Sequence, residues 1–179
     1  MKFANPILVL TAISGAYSLV VPRDGSNISD VLDGVQSAID DLNNGVQSWT
    51  TDPTETLNAS QKLVEQLKDG SHAVEESAPL NLMDALMLIG PLQTLKTHAQ
   101  TLVDALKEKE KQIESQGLCD AVRGEIDEID TGSKNLVHHT MAKIPYFMQG
   151  IGNVMAQPIL DAIDSAKHAF SENNCVNHA

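Results

Sequence analysis

The spacing of the apolar residues is the feature that most constrains how this chain folds. In five successive segments these residues recur at alternating steps of three and four, as one face of an α-helix requires. No segment shows the strict apolar and polar alternation of a half-buried strand. The pattern therefore predicts an all-α protein. The first stripe is regular over its whole length and consists of Ile28, Val31, Leu32, Val35, Ile39, Leu42, Val46 and Trp49.

Prolines divide the apolar stripes into separate helices, because proline lacks a backbone donor and disfavours helix at the residue before it. Asp52-Pro53 and Ala78-Pro79 end the first two segments, and Ile144-Pro145 separates the fourth from the fifth. Gly90-Pro91 falls inside the third segment and predicts either a kink or a short helix before a long one. The short connections predict a single-domain up-down bundle of about five amphipathic helices.

The N-terminus has the plan of a secretory signal peptide. Lys2 supplies a positive charge, a short apolar run follows, and small residues precede Leu19. The run is too short to cross a bilayer, which takes about 20 residues. The alternative is an N-terminal core helix. We expect residues 1–18 to be a signal peptide, 19–25 an extended leader, 26–171 the helical bundle domain and 172–179 a C-terminal tail tethered by Cys175.

If the chain is secreted, its two cysteines can form a disulfide and its two sequons can be glycosylated. Cys119 and Cys175 lie at the start of the fourth helix and just beyond the fifth, which meet at one end of an antiparallel pair. In an oxidising compartment they are expected to form a disulfide. Asn27 and Asn58 begin N-glycosylation sequons. No apolar tail follows Ser171, so we expect a secreted protein, extracellular or in the cell wall, without a membrane anchor.

Charge and composition exclude some partners. The formal net charge of -12 argues against nucleic acid, because phosphates would be repelled. It does not oppose uncharged surfaces or apolar ligands. Residues with apolar side chains make up 42% of the chain but aromatic residues only 3%, so the core must be aliphatic.

Motifs for catalysis are absent from the sequence. There is no G-x-S-x-G nucleophile turn, no H-E-x-x-H zinc helix and no C-x-x-C pair. His138 and His139 are adjacent, so on a helix their side chains point about 100° apart and do not readily share a metal. The acidic run from Glu125 to Asp130 lacks calcium-loop spacing. We expect no enzyme, no cofactor and no metal site.

Three segments carry a resemblance to a known family: residues 101–109 (TLVDALKEK), 134–145 (KNLVHHTMAKIP) and 161–170 (DAIDSAKHAF). With Gly90-Pro91 inside the third helix, they resemble fungal hydrophobic surface-binding protein A, a family that includes the cell-wall galactomannoproteins. The resemblance covers roughly residues 27–170. It implies a five-helix domain that adsorbs to hydrophobic surfaces or encloses a long-chain fatty acid or other lipid.

The methionines suggest where a lipid would bind, because methionine side chains are flexible and line adaptable apolar sites. They fall on the third, fourth and fifth helices, and the alternative is that they only fill the core. With the neighbouring stripe residues they form our candidate lipid-binding set: Met83, Leu86, Met87, Ile89, Leu92, Leu95, Leu102, Val122, Ile126, Met141, Phe147, Met148, Ile151 and Met155.

Two other hypotheses remain open. Glycines inside the helices, such as Gly34 and Gly70, lower helix stability, so the bundle is predicted either to enclose a ligand or to open on a hydrophobic surface. Alternatively, the chain is a secreted interaction protein with a cell-wall or host-protein partner: an antigen, a virulence factor or an adaptor that recruits a hydrolase. A closed cavity favours lipid capture, and an exposed apolar groove favours a partner.

Overall fold

The computed structural model describes residues 26–177, and the predicted signal peptide and leader lie outside the described residues. Between residues 26 and 177 there is no strand, so the all-α prediction is confirmed. None of the helices in this range is long and apolar enough to cross a bilayer. The elements are α1 (Ser26–Ser48), α2 (Thr54–Glu76), α3 (Leu82–Met87), α4 (Ile89–Glu108), α5 (Glu110–Ser115), α6 (Cys119–Lys143), a 3-10 helix (Tyr146–Met148) and α7 (Gln149–Ala169).

The five predicted stripes correspond to α1, α2, α4, α6 and α7, but two breaks refine the prediction. At Gly90-Pro91 the chain forms a short helix, α3, before the long α4, which is one of the two outcomes predicted there. The second break, at Lys109, was not predicted: α4 ends and α5 begins. Its cause is tertiary, because Ile113 is fully buried and the Lys109 ammonium donates to the Trp49 carbonyl at 2.8 Å.

The five long helices form a ring in the order α1, α2, α6, α7, α4, and α4 packs back against α1. Successive long helices run antiparallel along the chain, as predicted. Neighbours in the ring are not all antiparallel, however. Ser60 and Ser71 of α2 bond to Glu125 and His139 of α6, so these two helices run in the same direction. A ring of this kind directs all five apolar stripes towards one axis.

One end of the ring is closed by a second cluster of buried residues, which we call the base cluster. The disulfide predicted between Cys119 and Cys175 is present there, with a Cα–Cα distance of 5.6 Å. Its closed loop of more than fifty residues is expected to contribute about 4 kcal/mol through chain entropy. The base cluster comprises Trp49, Val103, Ile113, Cys119, Ile126, Ala162, Ala166, Phe170 and Cys175.

Interior glycines allow the helices of the ring to approach closely. A Cβ added at Gly70 of α2 would lie 2.6 Å from Cγ1 of Val31 on α1. At Gly132 of α6 it would lie 3.0 Å from Cβ of Leu67 on α2. These two glycines therefore have a packing role between helices, which offsets part of their cost to helix stability.

A buried ion pair joins α6 to α7. Asp130 is 7% exposed, and its carboxylate accepts from Lys167 at 2.8 Å and from Lys134 at 2.9 Å. Burial alone would raise the pKa of Asp130, but the hydrogen bonds and charges of the two lysines outweigh it and hold the pKa below the ordinary value. Breaking this pair from one side would leave a lysine without its buried partner.

We predict that Asp130→Asn lowers the free energy of unfolding at pH 7 by about 2 kcal/mol, because charged hydrogen bonds between α6 and α7 are lost. A depressed carboxyl pKa contributes stability above the unfolded-state pKa, and this stability is lost as the pH falls below about 4. Urea unfolding followed by circular dichroism should therefore show wild type and variant converging at low pH. Asp164→Asn, an exposed position of α7, is the control. A constant difference at every pH would contradict the prediction.

Candidate functional site

An apolar cavity lies on the axis of the helix ring. Its volume is about 100 Å³, and all five long helices contribute side chains to it. None of the lining residues is ionisable, so the lining supplies neither an acid nor a base. Its lining comprises Leu32, Val35, Ile39, Leu63, Leu67, Leu92, Leu95, Ala99, Leu102, Val103, Leu106, Ile126, Ile129, Ser133, Leu136, Val137, Thr140, Met141, Ile144, Gly152, Ala156, Ile159, Ile163 and Ala166.

Two hydroxyl groups are the polar exceptions in this lining. Ser133 and Thr140 lie on α6 seven residues apart, so their side chains share one face of the helix. Both residues are buried, and Thr140 is 7% exposed. The Thr140 Oγ1 has no hydrogen-bond partner, although a threonine inside a helix commonly donates back to the carbonyl four residues earlier. An unpartnered buried hydroxyl is costly, and a polar group of a ligand in the cavity would satisfy it.

The cavity is long but narrow. On α6 its lining extends from Ile126 to Met141, which is roughly 22 Å at the rise of an α-helix. An acyl chain spans about 15 Å, half the hydrocarbon thickness of a bilayer. The volume of about 100 Å³ is nevertheless below the roughly 300 Å³ at which ligand pockets commonly begin. An acyl chain therefore fits the length of the cavity but requires the helices to move apart.

A small void of about 20 Å³, which we call the crevice, lies beside the cavity towards the end opposite the base cluster. It lies between α3 and the start of α4 on one side and the start of α7 on the other. Leu92, Ile144 and Gly152 line both the crevice and the cavity, so the two are adjacent. The break between α3 and α4 falls at Leu88, and the Asn81 side chain caps α3 by accepting from the Met83 and Asp84 amides at 2.8 and 3.0 Å.

Large apolar side chains surround the crevice on the outside of the protein. Tyr146 is 88% exposed, Phe147 73% and Met87 68%. We call this surface the apolar tip. It comprises Leu82, Met83, Leu86 and Met87 of α3, Tyr146 and Phe147 of the 3-10 helix, and Ile151 and Val154 of α7.

All of the residues predicted to bind lipid except Val122 lie in the cavity, the crevice or the apolar tip. Five line the cavity: Leu92, Leu95, Leu102, Ile126 and Met141. Leu92 also lines the crevice, together with Ile89, Met148, Ile151 and Met155. Four are exposed in the apolar tip and do not line the cavity: Met83, Leu86, Met87 and Phe147. Val122 packs against the base cluster.

Sequence reasoning missed Ser133 and Thr140. Both occupy positions on the apolar stripe of α6, in register with Ile126 and Leu136, so a polar residue inside a stripe was the available signal. Of the adjacent histidines, His139 bonds to the Ser71 carbonyl and His138 is exposed, with their ring centroids 5.5 Å apart. Between residues 26 and 177 no group of three His, Cys, Asp or Glu side chains is placed to hold a metal.

Solved structures with the same fold include ligand-binding domains of a fungal protein. Ligand-binding domain 2 of the Penicillium marneffei MP1 protein, complexed with multiple arachidonic acids, has a TM-score of 0.79 and 22% identity, covering 84% of this chain and 98% of that one. AfMP4p in complex with palmitic acid has a TM-score of 0.77 and 21% identity, covering 83% of this chain and all of that one (100%). At these identities the similarity establishes the fold.

Curated relatives and a family model extend the comparison to sequence. Cell wall mannoprotein 1 of Aspergillus flavus is 24% identical over 174 residues, and that of Aspergillus fumigatus is 26% identical over 180 residues. Each match covers 96% of this chain but only 63% and 61% of the relatives, so the chain spans about three fifths of their length. The model of hydrophobic surface binding protein A matches residues 25–142, which is most of the helix ring. The chain therefore belongs to the hydrophobic surface binding protein A family.

Proposed function

We propose that this protein binds a long-chain fatty acid, with the acyl chain in the cavity of the helix ring and the carboxylate at Thr140. The observation that carries the proposal is that Thr140, which lines an elongated and largely aliphatic cavity, has a buried hydroxyl without a hydrogen-bond partner. The proposal is of binding without catalysis, and the family match and the aliphatic lining of the cavity support it.

The chemistry of a fatty acid matches both parts of the cavity. Each methylene buried among the aliphatic side chains contributes about 0.8 kcal/mol. The Thr140 hydroxyl donates a hydrogen bond to the carboxylate, and the Ser133 hydroxyl lies two helical turns away on the same face. A ligand without a polar group would leave the Thr140 hydroxyl unsatisfied, so a fatty acid is favoured over a plain hydrocarbon.

The related proteins support the same ligand class. The MP1 domain is in complex with arachidonic acids and AfMP4p with palmitic acid, and both share this fold. The curated relatives are named cell wall mannoproteins, which favours an extracellular or cell-wall location here as well. Asn58 is exposed on α2, so this sequon has room for a glycan; Asn27 lies at the start of α1 and is half-buried.

Binding requires the cavity to widen, and the two ends of the ring differ in how readily they allow it. The base cluster is closed by the disulfide and by Ile113 and Phe170, both fully buried. At the other end α3 has six residues and buries only Ala85 among them. We place the movement at the crevice, where Ile89, Met148, Ile151 and Met155 give way, while Leu95, Leu102 and Ile126 hold the chain.

Filling the cavity should block fatty-acid binding. Ala156 lines the cavity and is buried, so Ala156→Leu occupies the space that the acyl chain needs. We expect the dissociation constant for palmitic acid, from displacement of a fluorescent fatty acid, to rise at least tenfold. Ala73→Leu, the same change at an exposed position of α2, should leave it unchanged. Unaltered affinity in a folded Ala156→Leu protein would place the ligand elsewhere.

Removing the Thr140 hydroxyl should change stability and affinity in opposite directions. Thr140→Val keeps the side-chain shape but deletes the unpartnered buried hydroxyl, so the ligand-free protein gains about 1 kcal/mol in unfolding free energy. A lost hydrogen bond to a carboxylate weakens palmitic acid binding about tenfold or more. Thermal unfolding and probe displacement measure the two effects. Thr131→Val, at an exposed position of α6, is the control, and unchanged affinity in Thr140→Val would remove this residue from the head-group site.

A further inference from the structure

The apolar tip is nearly free of charge in a chain that is otherwise rich in it. Between residues 144 and 160 there is no charged side chain, and between residues 78 and 95 there is only Asp84. The Asp84 carboxylate accepts from the Asn81 amide at 3.4 Å. Its negative charge therefore stabilises the N-terminus of α3. Yet charged residues make up 20% of the whole chain. An exposed apolar surface without charge marks a place where water is removed on binding.

The aromatic residues give this surface an interfacial character. The chain contains one Trp, two Tyr and three Phe, and two of these six stand next to each other in the apolar tip. Tyr146, at 88% exposure, carries a hydroxyl at the end of an apolar ring. Such side chains prefer the boundary between lipid head groups and acyl chains. A lipid bilayer has such a boundary, whereas the surface of a hydrocarbon such as an alkane has none.

We propose that the apolar tip docks on the surface of a zwitterionic lipid bilayer and that fatty acid passes between the bilayer and the cavity through the crevice. The proposal rests on the proposed function for its ligand. The charge of the protein selects the type of bilayer: the net charge is -12, so an anionic surface repels it. The tip segments also contain no Lys or Arg that would bind anionic head groups.

The apolar tip lies next to the crevice, so docking would bring the bilayer close to the cavity. Ile151 belongs to the apolar tip and also lines the crevice. The crevice in turn shares Leu92 and Gly152 with the cavity. When the helices around the crevice move apart, a fatty acid leaving the bilayer therefore meets apolar side chains from the apolar tip to the cavity.

The test compares two variants. Met87→Gln with Phe147→Gln removes apolar surface from both sides of the crevice at positions whose exposure leaves the fold intact. Val176→Gln makes the same kind of change at an exposed residue of the base end, where Val176 is 49% exposed. For each protein we would measure flotation of the ligand-free form with phosphatidylcholine vesicles, affinity for palmitic acid in solution, and the rate of palmitic acid transfer to the vesicles.

Wild type and Val176→Gln should float with the vesicles and transfer palmitic acid at a rate that rises with vesicle concentration. The double variant should bind vesicles at least tenfold more weakly and transfer at a slow rate independent of vesicle concentration, with its solution affinity within twofold of wild type. Added phosphatidylglycerol should weaken binding of the wild type. Equal flotation of the double variant, or none for wild type, overturns the docking. Dimers of wild type that the double variant lacks, without flotation, would assign the tip to a second copy of the chain.

Palmitic acid binding is scored separately from flotation. If wild type floats but does not bind palmitic acid, the proposed function fails, whereas docking on the bilayer is still supported. If wild type floats and binds palmitic acid but its transfer rate does not depend on the vesicle concentration, the proposed passage from the bilayer through the crevice fails and the proposed function stands.

Discussion

The packing of five aliphatic stripes around one axis is the constraint on which the rest of this structure depends. A ring of five helices leaves more room on its axis than two or three helices would, and the chain supplies few aromatic residues to fill it. Glycines such as Gly70 bring neighbouring helices together at the perimeter, whereas the centre keeps a cavity of about 100 Å³. Closely packed interiors leave few voids of this size, so the cavity is a distinctive feature of this bundle.

The two ends of the ring have opposite properties, and function follows from that difference. At one end the disulfide, Trp49 and Phe170 close the bundle around a second buried cluster. At the other end a six-residue helix and a 3-10 turn expose apolar side chains around a crevice. The sequence hypotheses treated enclosure of a ligand and contact with a hydrophobic surface as alternatives. In our account they occur at one end of one molecule, with the cavity holding the lipid and the tip meeting its source.

Much of the fold was predictable because it depends on local periodicity and on proline. The stripe from Ile28 to Trp49 is buried at every third or fourth residue, and Gly90-Pro91 marks the boundary region between α3 and α4. What periodicity does not contain is the arrangement in space. Neither the parallel packing of α2 against α6 nor the break at Lys109 has a local signal, since both arise from tertiary contacts. For the same reason the helical pattern did not distinguish methionines of the cavity from methionines of the surface. Met141 lines the cavity, whereas Met83 and Met87 face outward.

Nuclear Overhauser effects can locate a bound acyl chain on the axis of the helix ring. Carbon-13-labelled palmitic acid in complex with the protein should show contacts from its methylenes to the methyl groups of Leu95, Ile126 and Ile159, which line the cavity on three different helices. Contacts confined to Met87 and Phe147 of the apolar tip, or no contacts at all, would show that the acyl chain does not lie in the cavity.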